Sequence, residues 1–194
     1  MRRQIFLVLL FLAATLSRAF PQQYPFEAGV GIVYAPEHAF ILKAPDGWIL
    51  DRESRSNSRP EPIFYPIGFT AKDTPVIIWA GSKRAESGGR SRIEKFLEER
   101  ERALSSPRGD GVKAVPLEQW RVGKGLLAAT YDFVSEPGEH LLLQRVSCIL
   151  TGTSVDYVAV QAKDESFYAR SLAAFASIVK SYIPFWGGTV FIPR

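Results

Sequence analysis

Turn-forming residues cut most of this chain into short apolar runs, and only two stretches keep a helical period. That division constrains the fold more than any other feature, because short runs bounded by Gly, Pro, Asp and Ser read as strands. Residues 39–45 ("AFILKAP") form a strand that Pro45 ends, since proline removes a ladder donor. Asp46-Gly47 turns the chain, and "WILD" starts the next strand at Trp48. Residues 29–34, 63–69 and 75–83 are further strands, the last two separated by the turn-like "TAKDT". Residues 125–134, 140–150 and 155–162 follow with short turns between them, the signature of an antiparallel meander.

The two helical stretches are placed differently. Ser91 is an N-cap with Glu94 as its capping-box partner, and Ile93, Phe96, Leu97, Ala103 and Leu104 lie near one face. Ser166 caps the second helix, whose stripe is Leu172, Phe175, Ala176, Val179 and Tyr182 and which Pro184 stops. Strands, helix, meander, helix is not a strict β-α alternation. The expected class is α+β, a central antiparallel sheet flanked by helices in an α/β/α sandwich.

The first nineteen residues differ in kind. Met1-Arg2-Arg3 is basic, residues 5–16 are apolar apart from Thr15, and Ser17-Arg18-Ala19 offers small residues at a cleavage site. This is the pattern of a secretory signal peptide, too short for a span of about 20 residues, with an uncleaved anchor as the alternative. The expected mature chain is one domain, residues 20–194, with an extended leader at 20–28 and an apolar tail at 185–193. The formal charge of +4 includes Arg2, Arg3 and Arg18, so the mature chain is near neutral and a nucleic-acid partner loses its main support. Cys148 is the single cysteine. An exported chain with one thiol forms no internal disulfide, so packing must hold it, and Cys148 within "QRVSCILTG" reads as a buried small hydrophobe.

The order of elements, with "FILKAPDGWILD", "IFYPIGF" and "PVIIWAG", resembles the PsbP-like superfamily, which includes the Mog-type Ran-binding proteins. Phe40, Ile41, Pro45, Gly47 and Trp48 match the corner of bacterial secreted PsbP-like domains, and Phe64-Tyr65-Pro66 with Gly68 matches a following strand and turn. The resemblance implies a central antiparallel sheet with helices on both sides. Plant members assist photosystem assembly and Mog-type members bind a GTPase, so it also implies a binding role; no functional residue carries over.

The sequence assigns no catalytic residue, cofactor or metal. His38 and His140 are its two histidines and stand outside any zinc-ligand spacing. No serine sits in a G-x-S-x-G elbow, and the Gly-x-Gly pairs lack a phosphate-cradle context. Two weaker constellations remain. Trp48, Tyr65 and Trp79 stand on neighbouring strands, as core filling or as an apolar pocket for a small lipid-like ligand. Arg52, Arg55, Arg59, then Lys83, Arg84, Arg90 and Arg92, mark loops 52–62 and 82–92, as solvated surface or as contacts for a protein partner or anionic headgroup in the cell envelope. The expected function is a non-catalytic, exported binding or assembly-assisting module, periplasmic or extracellular; the alternative is a carrier of an apolar ligand between sheet and helix.

Overall fold

The structure is a computed structural model that describes residues 29–35, 37–51, 62–84, 91–105, 111–136, 141–152 and 154–186. The signal segment, the 20–28 leader, Arg52, Arg55, Arg59, Arg90, His140 and the tail from 187 lie outside the described residues.

Among the described residues, ten strands and two α-helices follow one another as β1 (Val30–Tyr34), β2 (Ala39–Lys43), β3 (Trp48–Asp51), β4 (Ile63–Pro66), β5 (Val76–Arg84), α1 (Arg92–Leu104), β6 (Gly111–Val122), β7 (Leu126–Glu136), β8 (Leu141–Thr151), β9 (Ser154–Ala162), α2 (Glu165–Lys180) and β10 (Ile183–Phe185). Seven strands form an antiparallel sheet in the order β3-β4-β5-β9-β8-β7-β6, and β1-β2-β10 form a second, three-stranded sheet. The class is therefore α+β with a central antiparallel sheet, as the element order implies.

Both faces of the large sheet are covered. Val76, Ile78 and Ala80 of β5 and Val158 and Val160 of β9 face one way, onto Phe175, Ile178 and Val179 of α2 and Phe40 and Leu42 of β2. Trp79, Val155 and Ala159 face the other way, onto Phe96 and Leu97 of α1. Because β5 and β9 are central and packed on both sides, they read as continuous apolar runs.

Helix α1 starts where the capping box places it: Ser91 Oγ accepts from the Glu94 amide and the Glu94 carboxylate accepts from the Ser91 amide. Ala103 is exposed, so the apolar face is narrower than expected. Helix α2 begins one turn-fraction earlier than expected, because Asp164 Oδ1, not Ser166, accepts the Phe167 amide at 3.0 Å. Two strands depart from the sequence reading. Residues 111–122 form β6, an edge strand whose Pro116 falls at a register break between Pro116 and Gln119. Pro184 does more than end α2: it sits in β10, which pairs with Ala39–Ile41 at the edge of the small sheet, where a missing donor is tolerated.

Candidate functional site

The strand register decides the aromatic constellation. Trp48 pairs with Pro66 and Leu50 with Phe64, placing Trp48 on the α2 face with Phe64 and Ile78. Ile63 pairs with Trp79, which places Trp79 on the α1 face, with the Arg100 guanidinium 5.3 Å from its ring centroid. Tyr65, two residues from Ile63, shares that face with Trp79 and directs its hydroxyl to Asp51 at 3.3 Å. The sheet thus separates Trp48 from Tyr65 and Trp79, and the three do not line one pocket. Alternation of side chains along paired strands is the physical reason.

Two polar clusters lie beneath the α2 side. In the first, Asp156 Oδ2 receives the Tyr182 hydroxyl at 2.6 Å and Thr151 Oγ1 at 3.2 Å, and lies 2.6 Å from His38 Nε2. Asp156 is fully buried, and burial together with the Asp156 charge pushes the Tyr182 hydroxyl well above the ordinary phenol range. Thr151 Oγ1 is 3.3 Å from that same His38 nitrogen. An acid–base relay needs carboxylate and nucleophile on opposite ring nitrogens. Here both address Nε2, so the cluster is a hydrogen-bond knot joining the β1–β2 hairpin to β9.

In the second cluster, Arg145 grips Asp132 with two bonds of 2.8 and 2.9 Å, and the Tyr168 hydroxyl of α2 donates to Asp132 at 2.8 Å. Burial, then the Asp132 bond, raises Tyr168 above the phenol range. Next to it Thr130 and Ser147 bond at 2.7 Å. These are cross-strand pairs that satisfy polar side chains beneath a helix.

A charged open cleft lies elsewhere. A cleft of about 240 Å³ lies where the end of β5 meets the start of α1, lined by Lys83, Arg84, Arg92, Lys95 and Glu99 around Phe96 and Val155. Four cations face one carboxylate there. Lys83 is paired with Glu99, and Arg84 reaches Glu37 at 3.5 Å; all four partners are substantially exposed. Of the sequence-marked cations, Lys83, Arg84 and Arg92 of loop 82–92 are in this cleft. Lys95 and Glu99 join it because α1 packs on the sheet beside the end of β5, a tertiary fact that loop reading had no signal for.

Among the described residues no group of three or more His, Cys, Asp and Glu is positioned to hold a metal ion, and no helix is long and apolar enough to cross a membrane. No family model and no curated protein matches the chain. Among solved structures it is similar to the cyanobacterial PsbP (CyanoP) of Synechocystis sp. PCC 6803, with 12% identity, a TM-score of 0.48 and coverage of 86% of this chain and 99% of that one. It is also similar to LpqN, involved in cell envelope biogenesis of Mycobacterium tuberculosis, with 17% identity, a TM-score of 0.45 and coverage of 80% and 90%.

Proposed function

We propose that this protein is a non-catalytic binding module, exported to the cell envelope, whose contact site is the basic cleft between β5 and α1. The observation that carries the reading is the lining of that cleft: Lys83, Arg84, Arg92 and Lys95, with Glu99 inside it and Glu37 beside Arg84, spread over β5 and a helix packed on the sheet. Such a site attracts an anionic group on a partner at long range and orients it at short range. Export rests on the basic, apolar and small-residue pattern of residues 1–19. The carrier alternative is weakened, because its three aromatics stand on two faces of the sheet and the space under α2 is filled by Phe40, Phe64, Phe175 and Tyr182.

The test replaces Lys83, Arg84, Arg92 and Lys95 with glutamine, which keeps much of each stem and leaves the Ser91–Glu94 cap intact. Wild type immobilised against a solubilised envelope of its host is expected to retain components that the variant does not. The same components on both, with unchanged thermal melting, would overturn the cleft as the contact site.

A further inference from the structure

Among the described residues, exposed apolar side chains collect at one end of the molecule. Strand register builds a row across the large sheet there: Lys83 pairs with Val155, Val155 with Leu150, and Leu127 with Arg121. Continuing the Ala128–Ile149 register by one position sets Leu127 beside Leu150. Leu127 is 49% exposed and Leu150 44%. The same end carries Trp186, 49% exposed, and Tyr34, 78% exposed at the tip of the β1–β2 hairpin. The Glu37–Arg84 pair and the His38–Asp156 bond tie that hairpin to this end, and Lys124 stands 5.2 Å from the Trp186 ring centroid.

We infer that this end docks on an anionic membrane surface, with Leu127, Leu150, Tyr34 and Trp186 entering the interfacial layer and the cations meeting lipid phosphates. The inference rests on the cleft reading above and deepens it by naming the partner. Cations surround the apolar groups rather than standing apart from them: Lys83 and Arg121 end the leucine row, Lys124 covers Trp186, and Arg84 anchors the hairpin. The carboxylates Glu37 and Glu99 each face one of these cations. Leucine supplies apolar area to a bilayer, tryptophan and tyrosine prefer its interface, and lysine and arginine extend their stems so the charge reaches headgroups. An acidic protein would match the charges but need one pocket for the Leu127–Leu150 pair and others for Tyr34 and Trp186, which stand on different elements. A fluid bilayer accepts them at any spacing.

The test is cosedimentation of the exported protein with vesicles of phosphatidylglycerol and phosphatidylcholine, and with vesicles of phosphatidylcholine alone. Binding is expected for the anionic vesicles only and to weaken with added salt. Each of Arg84→Gln and Arg121→Gln should lower the partition coefficient about fivefold. The pair Leu127→Asp and Leu150→Asp should lower it at least about tenfold. Ile67→Asp, exposed in the β4–β5 turn at the other end of the sheet, should leave it unchanged. Equal binding to both vesicle types, or full binding by the leucine variant, overturns the inference. If wild type ignores anionic vesicles while the glutamine variant still loses its envelope components, the membrane inference fails and the cleft reading stands; if those components are also kept, both fail.

Discussion

The Tyr182 hydroxyl donates to Asp156 Oδ2 at 2.6 Å, and this bond fastens the segment after α2 to the middle of the large sheet. Asp156 is fully buried, and its other oxygen, Oδ1, has no hydrogen-bond partner among the described residues. A buried carboxylate depends on the donors it has. Tyr182→Phe is therefore expected to cost about 1.5–3 kcal/mol, the range for bonds to a charged group. Thr151→Val, which removes a longer bond of 3.2 Å, should cost less. Urea midpoints with an unchanged slope check the order, and a larger loss for Thr151→Val would contradict it.

Burial also sets how the protein meets alkali. It pushes the Cys148 thiol from 9.0 up to about 12, and raises Tyr168 and Tyr182 as well. In each case the folded state holds its proton more tightly than the unfolded chain does. The unfolded chain then sheds protons first, so stability is complete below about pH 9 and falls as pH rises through 9 toward 12. Urea midpoints should be flat up to that point and decline above it, with a shallower decline in Cys148→Ala. In the native state near neutral pH, Cys148 should react with a thiol reagent far more slowly than in urea. A midpoint that stays level up to about pH 11 would remove the argument.

The fold was legible where backbone chemistry is local. Gly47 has φ 80, and the Trp48 amide bonds the Pro45 carbonyl at 3.1 Å, so the Pro-Asp-Gly corner announces itself. The Ser91–Glu94 box does the same for α1. Strand β6 was hidden because an edge strand needs no apolar face: residues 115–119 are all exposed and Pro116 reads as a breaker. The buried polar groups were hidden for the opposite reason. Thr130, Asp132, Ser147 and Arg145 look like the wet side of strands, and only the register shows that they satisfy one another under α2. His38 and Asp156 are 118 residues apart, a separation no local pattern bridges. In the cleft, Lys83, Arg84 and Arg92 were visible as loop cations, while Lys95 and Glu99 became part of it only through the packing of α1 on the sheet.

The separation of Trp48 and Trp79 by the sheet makes their contributions independent. Trp79 is buried on the α1 face beneath Arg100, so Trp79→Ala should cost about 3–5 kcal/mol. Trp48 is half-buried on the other face and should cost less. The double variant should equal the sum of the two within about 0.5 kcal/mol. A coupling well above that would mean the two rings share contacts, as a common pocket requires.

Gly123 and Gly125 close the same β6–β7 turn for different reasons, and substitution separates them. The Gly123 amide donates to the Tyr182 carbonyl at 3.1 Å. A methyl group there would stand 3.0 Å from Pro184 Cδ and 3.1 Å from Ile183 Cα, and closer still to the Tyr182 carbonyl oxygen. Backbone cannot yield as a flexible side chain does, so Gly123→Ala is expected to cost about 1–3 kcal/mol and to pry β10 from the turn. Gly125 has open space around it but φ 79, a conformation that disfavours a side chain. Gly125→Ala should cost about 1 kcal/mol, and Gly125→Asn less, because asparagine tolerates the left-handed region. Asparagine at 123 should bring no such relief. Hydrogen exchange at the β2 amides paired with β10 reads the difference: Gly123→Ala should speed it, and Gly125→Ala should not. Equal exchange in the two variants would show that the contact with Tyr182 does not hold β10 in place.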